Sequence, residues 1–219
     1  MLDFSIVWAS LPDLLQGAVN TIAYSLASVA IGFVIGTAIC SMRLGRSRFG
    51  RGVAAVYVSF FRGVPLIVQL LVAYYCLPLI GINVSSVVAA VATLSLCTAA
   101  YLAEILRGGF LGIPNGQIEA ARMLGFSRWH ILRHIEVPQA VRLTLPALVN
   151  ETTMMIKASS LVSVVGVLEL TRMAQNIATS SFQPLELYVA AGVIYLLCIG
   201  IVTSLGALVE RRFNTEAIR

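Results

Sequence analysis

The sequence predicts an all-α polytopic membrane protein. Of its 219 residues, 58% are hydrophobic and only 11% are charged, and the mean hydropathy is +0.90. Residues 14–42, 63–103 and 187–209 contain no charged side chain, whereas a bilayer core of roughly 30 Å requires about 20 apolar residues per helix. These runs are continuous rather than alternating, which favours helices because a helix satisfies its backbone polar groups within its own segment.

About five spanning helices follow from the hydropathy pattern. The first, third and fifth come from the uncharged runs, with Glu104 close to the end of the third. The second is interrupted by Arg62, and the fourth by Glu151 and Lys157. No internal repeat is evident, so we expect one domain over residues 1–219, with a cytoplasmic insertion at 108–142. We place the helices near residues 18–42, 53–78, 85–106, 143–168 and 186–209.

The distribution of arginines predicts the orientation. Twelve of them fall between the first two helices, between the third and fourth, or after the fifth, whereas the opposite side carries only Arg172. Because cytoplasmic loops are enriched in Lys and Arg, we expect the N-terminus outside and the C-terminus inside. Topology and anionic lipid headgroups then account for the net charge of +5 without a nucleic-acid partner. The twelve are Arg43, Arg46, Arg48, Arg51, Arg107, Arg122, Arg128, Arg133, Arg142, Arg211, Arg212 and Arg219.

The polar insertion predicts two short helices. The letters IPNG at 113–116 indicate a turn, and residues 117–124 suit a short helix that Gly125 follows. Ser127 is placed to cap a second helix, which we expect to end at Pro138. An apolar stripe at spacing three runs along this second helix, formed by Trp129, Leu132 and Ile135.

Cysteine and histidine give no sign of a metal site. The four cysteines lie in apolar helices, and none shows CxxC spacing. His130 and His134 are four residues apart, but the zinc-protease pattern HExxH requires Glu where Ile131 stands. We therefore expect neither a metal ion nor a disulfide, and no cofactor bound by this chain.

Residues 119–138, EAARMLGFSRWHILRHIEVP, resemble a known signature. The EAA motif of permease subunits from bacterial ATP-binding-cassette (ABC) importers reads EAA, three residues, Gly, nine residues, Ile, any residue, Leu and Pro. Val137 stands where the motif usually has Leu. All other motif positions match, namely Glu119, Ala120, Ala121, Gly125, Ile135 and Pro138.

The resemblance extends over nearly the whole chain. It includes GAVNTIAYSLAS, FFRGVPLIVQL, AAYLAEILRGG, LPALVNE and KASSLVSVVGVLEL. The letters GQ before the EAA motif are typical of the polar amino-acid branch, whereas RGVP and KASSL replace the RGTP and KDTSL of that branch. The resemblance implies import of a polar amino acid. Cystine, glutamine, basic amino acids and related compounds such as opines all stay open.

A coupling mechanism is implied by the same resemblance. The two short helices would dock into a groove of a separate ATPase subunit, with Glu119 meeting a basic group and Gly125 allowing the turn between helices. ATP and Mg²⁺ would bind to that ATPase, since the sequence holds no GxxxxGK[ST] loop and the chain is not expected to be an enzyme itself. The expected coupling residues are Gly116, Gln117, Glu119, Ala120, Ala121, Leu124, Gly125 and Phe126.

Polar residues within the predicted spans are candidates for the transport path, because ionisable groups inside a membrane usually serve a function. In straight helices, Arg62 and Glu151 would lie roughly 12–14 Å from the cytoplasmic side, where they could pair. Two interpretations stay open for this set: structural ion pairs or interhelical hydrogen bonds, and contact with the substrate. The candidates are Arg62, Gln69, Glu104, Asn150, Glu151 and Lys157.

Several partners are implied by the resemblance. Permeases of this kind work with two ABC ATPase subunits and an extracytoplasmic solute-binding protein, which would dock on the outer loops near 78–86 and 169–186. Five helices rarely enclose a solute path alone, so we expect a second copy or a paralogue. The chain would then be a multi-pass protein of the bacterial inner membrane, in contact with lipid.

Two other classes of protein fit the sequence less well. A channel or secondary transporter for a small polar solute would normally show inverted repeats or paired broken helices, and the sequence has no such symmetry. An intramembrane enzyme would need a nucleophile and a base at matching depth. Both histidines lie in the insertion, and no GxSxG is present.

Overall fold

The computed structural model describes residues 4–215, with side chains as far as Arg212. Residues 1–3 and 216–219 lie outside the described part, and with them Arg219 of the predicted cytoplasmic set. Between these limits the chain is built from helices and contains no strand. The α-helices are α1 (Ser5–Leu44), α2 (Arg48–Gly63), α3 (Leu66–Cys76), α4 (Ser86–Leu111), α5 (Asn115–Met123), α6 (Arg128–Ile131), α7 (Val137–Ala158), α8 (Leu170–Ser181) and α9 (Pro184–Thr215).

Within the described residues, three helices are long and apolar enough to cross a membrane: α1, α4 and α9. Two bent pairs raise the number to at most five if each counts as one span, namely Arg48–Gly63 with Leu66–Ile80 and Arg128–Val165 with Leu170–Ser181. The prediction of an all-helical fold is therefore confirmed.

The outermost helices extend past their predicted limits. α1 begins at Ser5 rather than near residue 18, and α9 continues to Thr215 rather than ending near 209. The sequence reasoning placed helix ends where charges appear, at Asp13 and Glu210. A charge ends an apolar run, but Glu is a good helix former and a single Asp costs a helix little, so neither ends the helix.

The second predicted span, 53–78, is broken. α2 and α3 meet at an angle of 101° across Val64 and Pro65. Pro65 has no N–H and therefore leaves the carbonyl of Phe61 without its helical partner. Gln69 replaces that donor, because its Nε2 donates to Phe61 O at 3.0 Å and to Val64 O at 2.8 Å. One buried side chain thus satisfies the backbone at the bend.

The fourth predicted span, 143–168, belongs to a longer helical segment. α6 continues through a π-helical turn, Leu132–Glu136, into α7, and a 3₁₀ segment, Ser159–Val165, follows. Pro138 therefore does not end a helix as predicted. The π turn accommodates it, because a wider turn leaves room for a ring that would clash with the carbonyl four residues earlier. The segment then ends at Gly166, which has φ +78°.

Small residues bring the central helices close together. A Cβ added to Gly32 of α1 would lie 3.0 Å from Ser95 O of α4, and one added to Gly36 would lie 2.9 Å from Ala99 O. Farther along α4, a Cβ on Gly109 would meet the Thr144 side chain of α7. Such close backbone approach favours van der Waals packing where hydrophobic burial contributes little. α1, α4 and α7 therefore form the tightly packed centre of the chain.

Candidate coupling surface and transport path

The EAA segment forms a compact helical hairpin, which we call the coupling element and define as residues 115–131. Gly125 lies between α5 and α6 with φ +80°, a conformation that glycine adopts without steric cost. Its N–H donates to Arg122 O at 2.9 Å, and the N–H of Phe126 donates to Ala121 O at 3.1 Å. These bonds close the end of α5, so the turn expected at Gly125 is present.

One side of the coupling element is packed and the other is open. Ala121 and Ile131 are buried, and Ser127 caps α6 as predicted, since its Oγ accepts from the N–H of His130 at 3.3 Å. Four large apolar side chains point outward, and such exposed surface usually marks a protein or membrane contact. Their exposed fractions are 90% for Met123, 76% for Leu124, 68% for Trp129 and 44% for Phe126.

The other predicted coupling residues divide between the two sides. Glu119, Ala120, Gly116 and Gln117 are exposed, whereas Ala121 faces the interior. Sequence reasoning did not include Met123, the most exposed large side chain of the hairpin. Its position one residue before Leu124, at the end of a short helix, is the signal that could have identified it.

The predicted apolar stripe of the second short helix is only partly buried. Trp129 is exposed, Leu132 and Ile135 are half-buried, and Ile131, which was not in the stripe, is buried. The π turn that begins at Leu132 changes the number of residues per turn beyond that residue. The exposed side also carries a stacked ladder of Phe126, His130 and His134, with ring centroids 4.9 and 4.1 Å apart.

The expected pairing of Arg62 with Glu151 is absent from the described structure. Three ion pairs are present there, and neither residue belongs to one. The guanidinium of Arg62 lies 5.2 Å from the ring centroid of Tyr101, a cation–π contact. Glu151 is buried in α7. The bend at Pro65 follows Arg62 in the chain and leaves the straight course of α2 up to Arg62 unchanged, so the contact with Tyr101, and not the bend, accounts for the missing ion pair.

The remaining path candidates occupy different environments. Glu104 accepts from Arg43 at 3.2 Å and from Arg107 at 2.7 Å, which ties the ends of α1 and α4 together. Gln69 is buried and supports the bend, yet its Oε1 has no hydrogen-bond partner among the residues that the structure describes. Asn150 and Lys157 are exposed on α7. Glu151 and Gln69 are therefore the buried polar candidates of the set.

A buried carboxylate that the sequence did not reveal fixes the start of α8. Glu169 is fully buried and accepts from the N–H groups of Thr171 and Arg172 at 2.9 and 2.7 Å. The Tyr195 hydroxyl of α9 donates to the same carboxylate at 2.7 Å. From α1, Thr21 Oγ1 accepts from Leu170 N at 3.1 Å. The position of Glu169 directly before the helical run LTRMAQ is the sequence signal that could have predicted this cap.

The outward face of α8 is polar. Together with α9 it forms a cleft of about 550 Å³. The residues of α8 in this cleft recur at helical spacing, on the side opposite the buried Leu170, Ala174 and Ala178. We call it the α8–α9 cleft, and it is lined by Arg172, Gln175, Asn176, Thr179, Ser180 and Tyr188.

An all-helical chain with up to five spans in its described part, and with an exposed helical hairpin between them, has the features of a polytopic membrane component that contacts another protein. A family model described as "Binding-protein-dependent transport system inner membrane component" matches residues 28–215. The chain belongs to this family. It is therefore an inner-membrane transport component.

Two permease proteins are similar to this chain over nearly its whole length. The chain is 37% identical over 214 residues to the glutamine transport system permease protein GlnP of Escherichia coli, covering 97% of this chain and 98% of that protein. It is 35% identical to the arginine transport system permease protein ArtQ of Bacillus subtilis, covering 98% and 99% of the two chains.

A solved structure has the same fold. The crystal structure of an amino acid ABC transporter with histidines matches with a TM-score of 0.92 and 35% identity, covering 97% of this chain and 99% of that one. The resemblance to permease subunits of amino-acid ABC importers, identified from the EAA segment, is thereby confirmed.

Proposed function

We propose that this chain is the membrane permease of an ATP-driven importer and carries an amino acid inward across the bacterial inner membrane. The observation that carries the proposal is the coupling element, an exposed hairpin with the EAA signature in a chain of the binding-protein-dependent family. The relatives named for glutamine and arginine transport support an amino acid as the substrate class.

The exposed face of the coupling element is the proposed contact with the ATPase. Met123, Leu124 and Phe126 present apolar side chains beside the carboxylate of Glu119. This segment lies outside the apolar runs, so lipid is not expected to cover the surface. An apolar surface exposed in this way usually marks a contact with another protein. Each of two ATPase subunits would receive one hairpin, and ATP and Mg²⁺ would bind on those subunits.

The transport path is proposed to run beside the bend between α2 and α3. Irregular backbone at membrane depth is tolerated where it lines a water-filled cavity or protein. The unpartnered Oε1 of Gln69 and the carboxyl group of Glu151 are the buried polar groups available on α3 and α7. Both groups could accept hydrogen bonds from the ammonium group of an amino acid. Arg62, exposed near Tyr101, is placed to meet a carboxylate.

Five crossings, with the N-terminus outside, complete the proposed topology. The arginine distribution supports it, with both bent pairs counted as spans. The coupling element is then cytoplasmic, and α8 lies at the outer side. A second copy or a paralogue would complete the path, because five helices rarely enclose a solute path alone.

The α8–α9 cleft is the proposed docking site for the extracytoplasmic binding protein. Arg172 is its one charged lining residue. The N-terminal end of α8 is held on α1 and α9 by Thr21 and Tyr195. A surface that is already rigid loses less conformational freedom when it binds a partner. An acidic side chain on the binding protein would complement Arg172.

Affinity purification of the tagged chain from its native membrane tests the proposal. Mass spectrometry should identify an ABC ATPase with the wild type, and Glu119→Arg and Gly125→Asp should both release it. Asp13→Arg is the matched charge reversal, since Asp13 is exposed on α1 far from the hairpin, and it should leave the ATPase bound. A chain that purifies alone and carries solute into liposomes without ATP would instead be a channel or secondary transporter.

Uptake into proteoliposomes tests the substrate and the path. The purified assembly, supplied with ATP and the binding protein, should accumulate one or a few radiolabelled amino acids from a complete panel. Glu151→Gln should lower uptake while the ATPase stays bound, and Met154→Leu, an exposed position on the same helix, is the control and should leave uptake unchanged. Uptake of sugars or inorganic ions but of no amino acid would contradict the substrate class.

A further inference from the structure

Two side-chain links join the coupling element to the start of α7. Arg128 Nη1 of α6 donates to Glu136 Oε1 at 2.5 Å. Gln139 Nε2 of α7 donates to Gln117 Oε1 of α5 at 2.6 Å. One link therefore spans the π turn, and the other crosses directly from the first turn of α5 to the first turn of α7. Both connect the short helices to the long one.

The ion pair has an uneven environment. The side chain of Glu136 is only 7% exposed, whereas that of Arg128 is 63% exposed. A carboxylate so far removed from water requires a partner, and within the described part of the chain Arg128 is its ion-pair partner. The buried carboxylate therefore holds the surface arginine in one position, and with it the start of α6.

The backbone alone would leave this joint loose. The coupling element is connected to α4 through Gly112 and Pro114 and is divided by the turn at Gly125. α6 has four residues and leads into a π turn, which lacks the regular hydrogen bonding of an α-helix. A force applied to α5 could be absorbed by rotation at these points unless side chains prevent it.

The far side of the joint is firm. α7 packs closely on α4 where Gly109 faces Ala140 and Thr144. From Glu136 to Glu151 the helix extends for 15 residues, or roughly 22 Å at 1.5 Å per residue. A displacement at the hairpin can therefore reach the buried carboxylate of Glu151 along one helical segment, provided that the joint does not yield.

We propose that the Arg128–Glu136 ion pair, with the Gln117–Gln139 hydrogen bond as a second link, fixes the coupling element to α7 and thereby determines how much transport each ATP hydrolysed produces. This inference rests on the proposed function as an ATP-driven permease. The proposal makes Arg128 and Glu136 positioning residues, whose role is to hold α6 on α7 rather than to bind the ATPase or the substrate. Their loss should uncouple the transporter without detaching its ATPase.

The test measures ATP hydrolysis and amino-acid uptake together in proteoliposomes that contain the whole assembly. Arg128→Gln and Glu136→Gln each remove one charge while keeping the side chain close to its original size. Both should retain the ATPase and its hydrolysis but lower the ratio of amino acid imported to ATP hydrolysed at least threefold. Arg128→Lys keeps the charge and should restore most of the ratio. Arg133→Gln, which removes an exposed arginine without an ion pair in the described structure, should leave the ratio unchanged.

The double variant Arg128→Gln with Glu136→Gln separates the link from the individual residues. If the pair acts as one unit, the double variant should be no worse than either single variant. An unchanged ratio in both single variants, or an equal fall in Arg133→Gln, overturns the inference while the importer itself stands. Should Glu136→Gln fail to assemble, Arg128→Gln decides the question, because Arg128 is exposed. A wild-type chain that binds no ATPase would refute the proposed function instead.

Discussion

Replacing Gln69 with leucine should destabilise the chain by a predictable amount. The substitution removes the amide donor from Phe61 O and Val64 O, the two carbonyls at the bend, and leaves Phe61 O with only the weak thiol donor of Cys97 at 3.7 Å. A buried acceptor left without its partner costs about 1–3 kcal/mol. Removing the unpartnered Oε1 recovers part of that cost. We therefore expect the free energy of unfolding to fall by roughly 2–3 kcal/mol.

Unfolding of the purified chain in mixed detergent micelles, followed by far-ultraviolet circular dichroism, provides the measurement. Gln16→Leu is the matched control, because Gln16 is exposed on α1 and makes one exposed hydrogen bond to Asn20 at 3.3 Å. The control should change the free energy of unfolding by no more than about 0.5 kcal/mol. Equal values for Gln69→Leu and Gln16→Leu would refute the assigned role.

A second substitution tests the physical cause. Pro65→Ala restores an N–H that can donate to Phe61 O once Val64, which has ψ 132° at the bend, turns helical and the break straightens. In that background Gln69→Leu should cost about 1 kcal/mol less than in the wild type, because one of the two carbonyls has regained a backbone partner. An undiminished cost would show that Gln69 stabilises the chain by some contact other than the repair of the proline break.

Three further outcomes follow from the packing and the surface. Gly109→Leu should lower the free energy of unfolding by about 1–3 kcal/mol in the same titration, because its side chain would force α4 away from α7; a change within about 0.5 kcal/mol contradicts this. Glu169→Ala should lower the free energy of unfolding by about 2–4 kcal/mol, because it removes the cap of α8 and the acceptor of Tyr195. An unchanged free energy of unfolding would contradict this. Arg172→Glu should weaken stimulation of ATP hydrolysis by the binding protein about tenfold, as expected for reversing an interfacial charge, whereas Thr179→Ala in the same cleft should change it little. Equal effects of Arg172→Glu and Thr179→Ala on the stimulated ATP hydrolysis would argue against an electrostatic contact.

Sequence reasoning succeeded where one residue type is required by local geometry. Gly125 was expected at a turn and has the positive φ that such a turn needs, and Ser127 caps the helix that follows it. Both features depend on a few neighbouring residues. The continuous apolar runs likewise identified α1, α4 and α9, because hydropathy over a long window requires no knowledge of tertiary structure.

Sequence reasoning failed where distant segments decide the outcome. Arg62 and Glu151, which could have paired, form no direct ion pair in the described part of the chain, because the guanidinium of Arg62 lies over the ring of Tyr101 on α4. The π turn Leu132–Glu136 was not predicted, because the spacing-three pattern assumes a regular α-helix. The position of Glu169 before α8 is a local capping pattern, but its full burial and its hydrogen bond from Tyr195, 26 residues later on α9, depend on how distant helices pack.

The positions of the irregular segments suggest how a motion could pass through this chain. α1 and α4 approach each other so closely at Gly32 and Gly36 that sliding between them would meet backbone atoms at once. The second and fourth segments, by contrast, are interrupted by a proline bend and by π and 3₁₀ turns. Helix breaks that retain satisfied hydrogen bonds can change angle at small cost, which is the usual construction of a hinge. We therefore expect the bend between α2 and α3 and the 3₁₀ break between α7 and α8 to change angle around a packed group of α1, α4 and α7 when the coupling element is displaced. Disulfides that lock α1 to α4 should be tolerated during transport, whereas one across the α2–α3 bend should stop it.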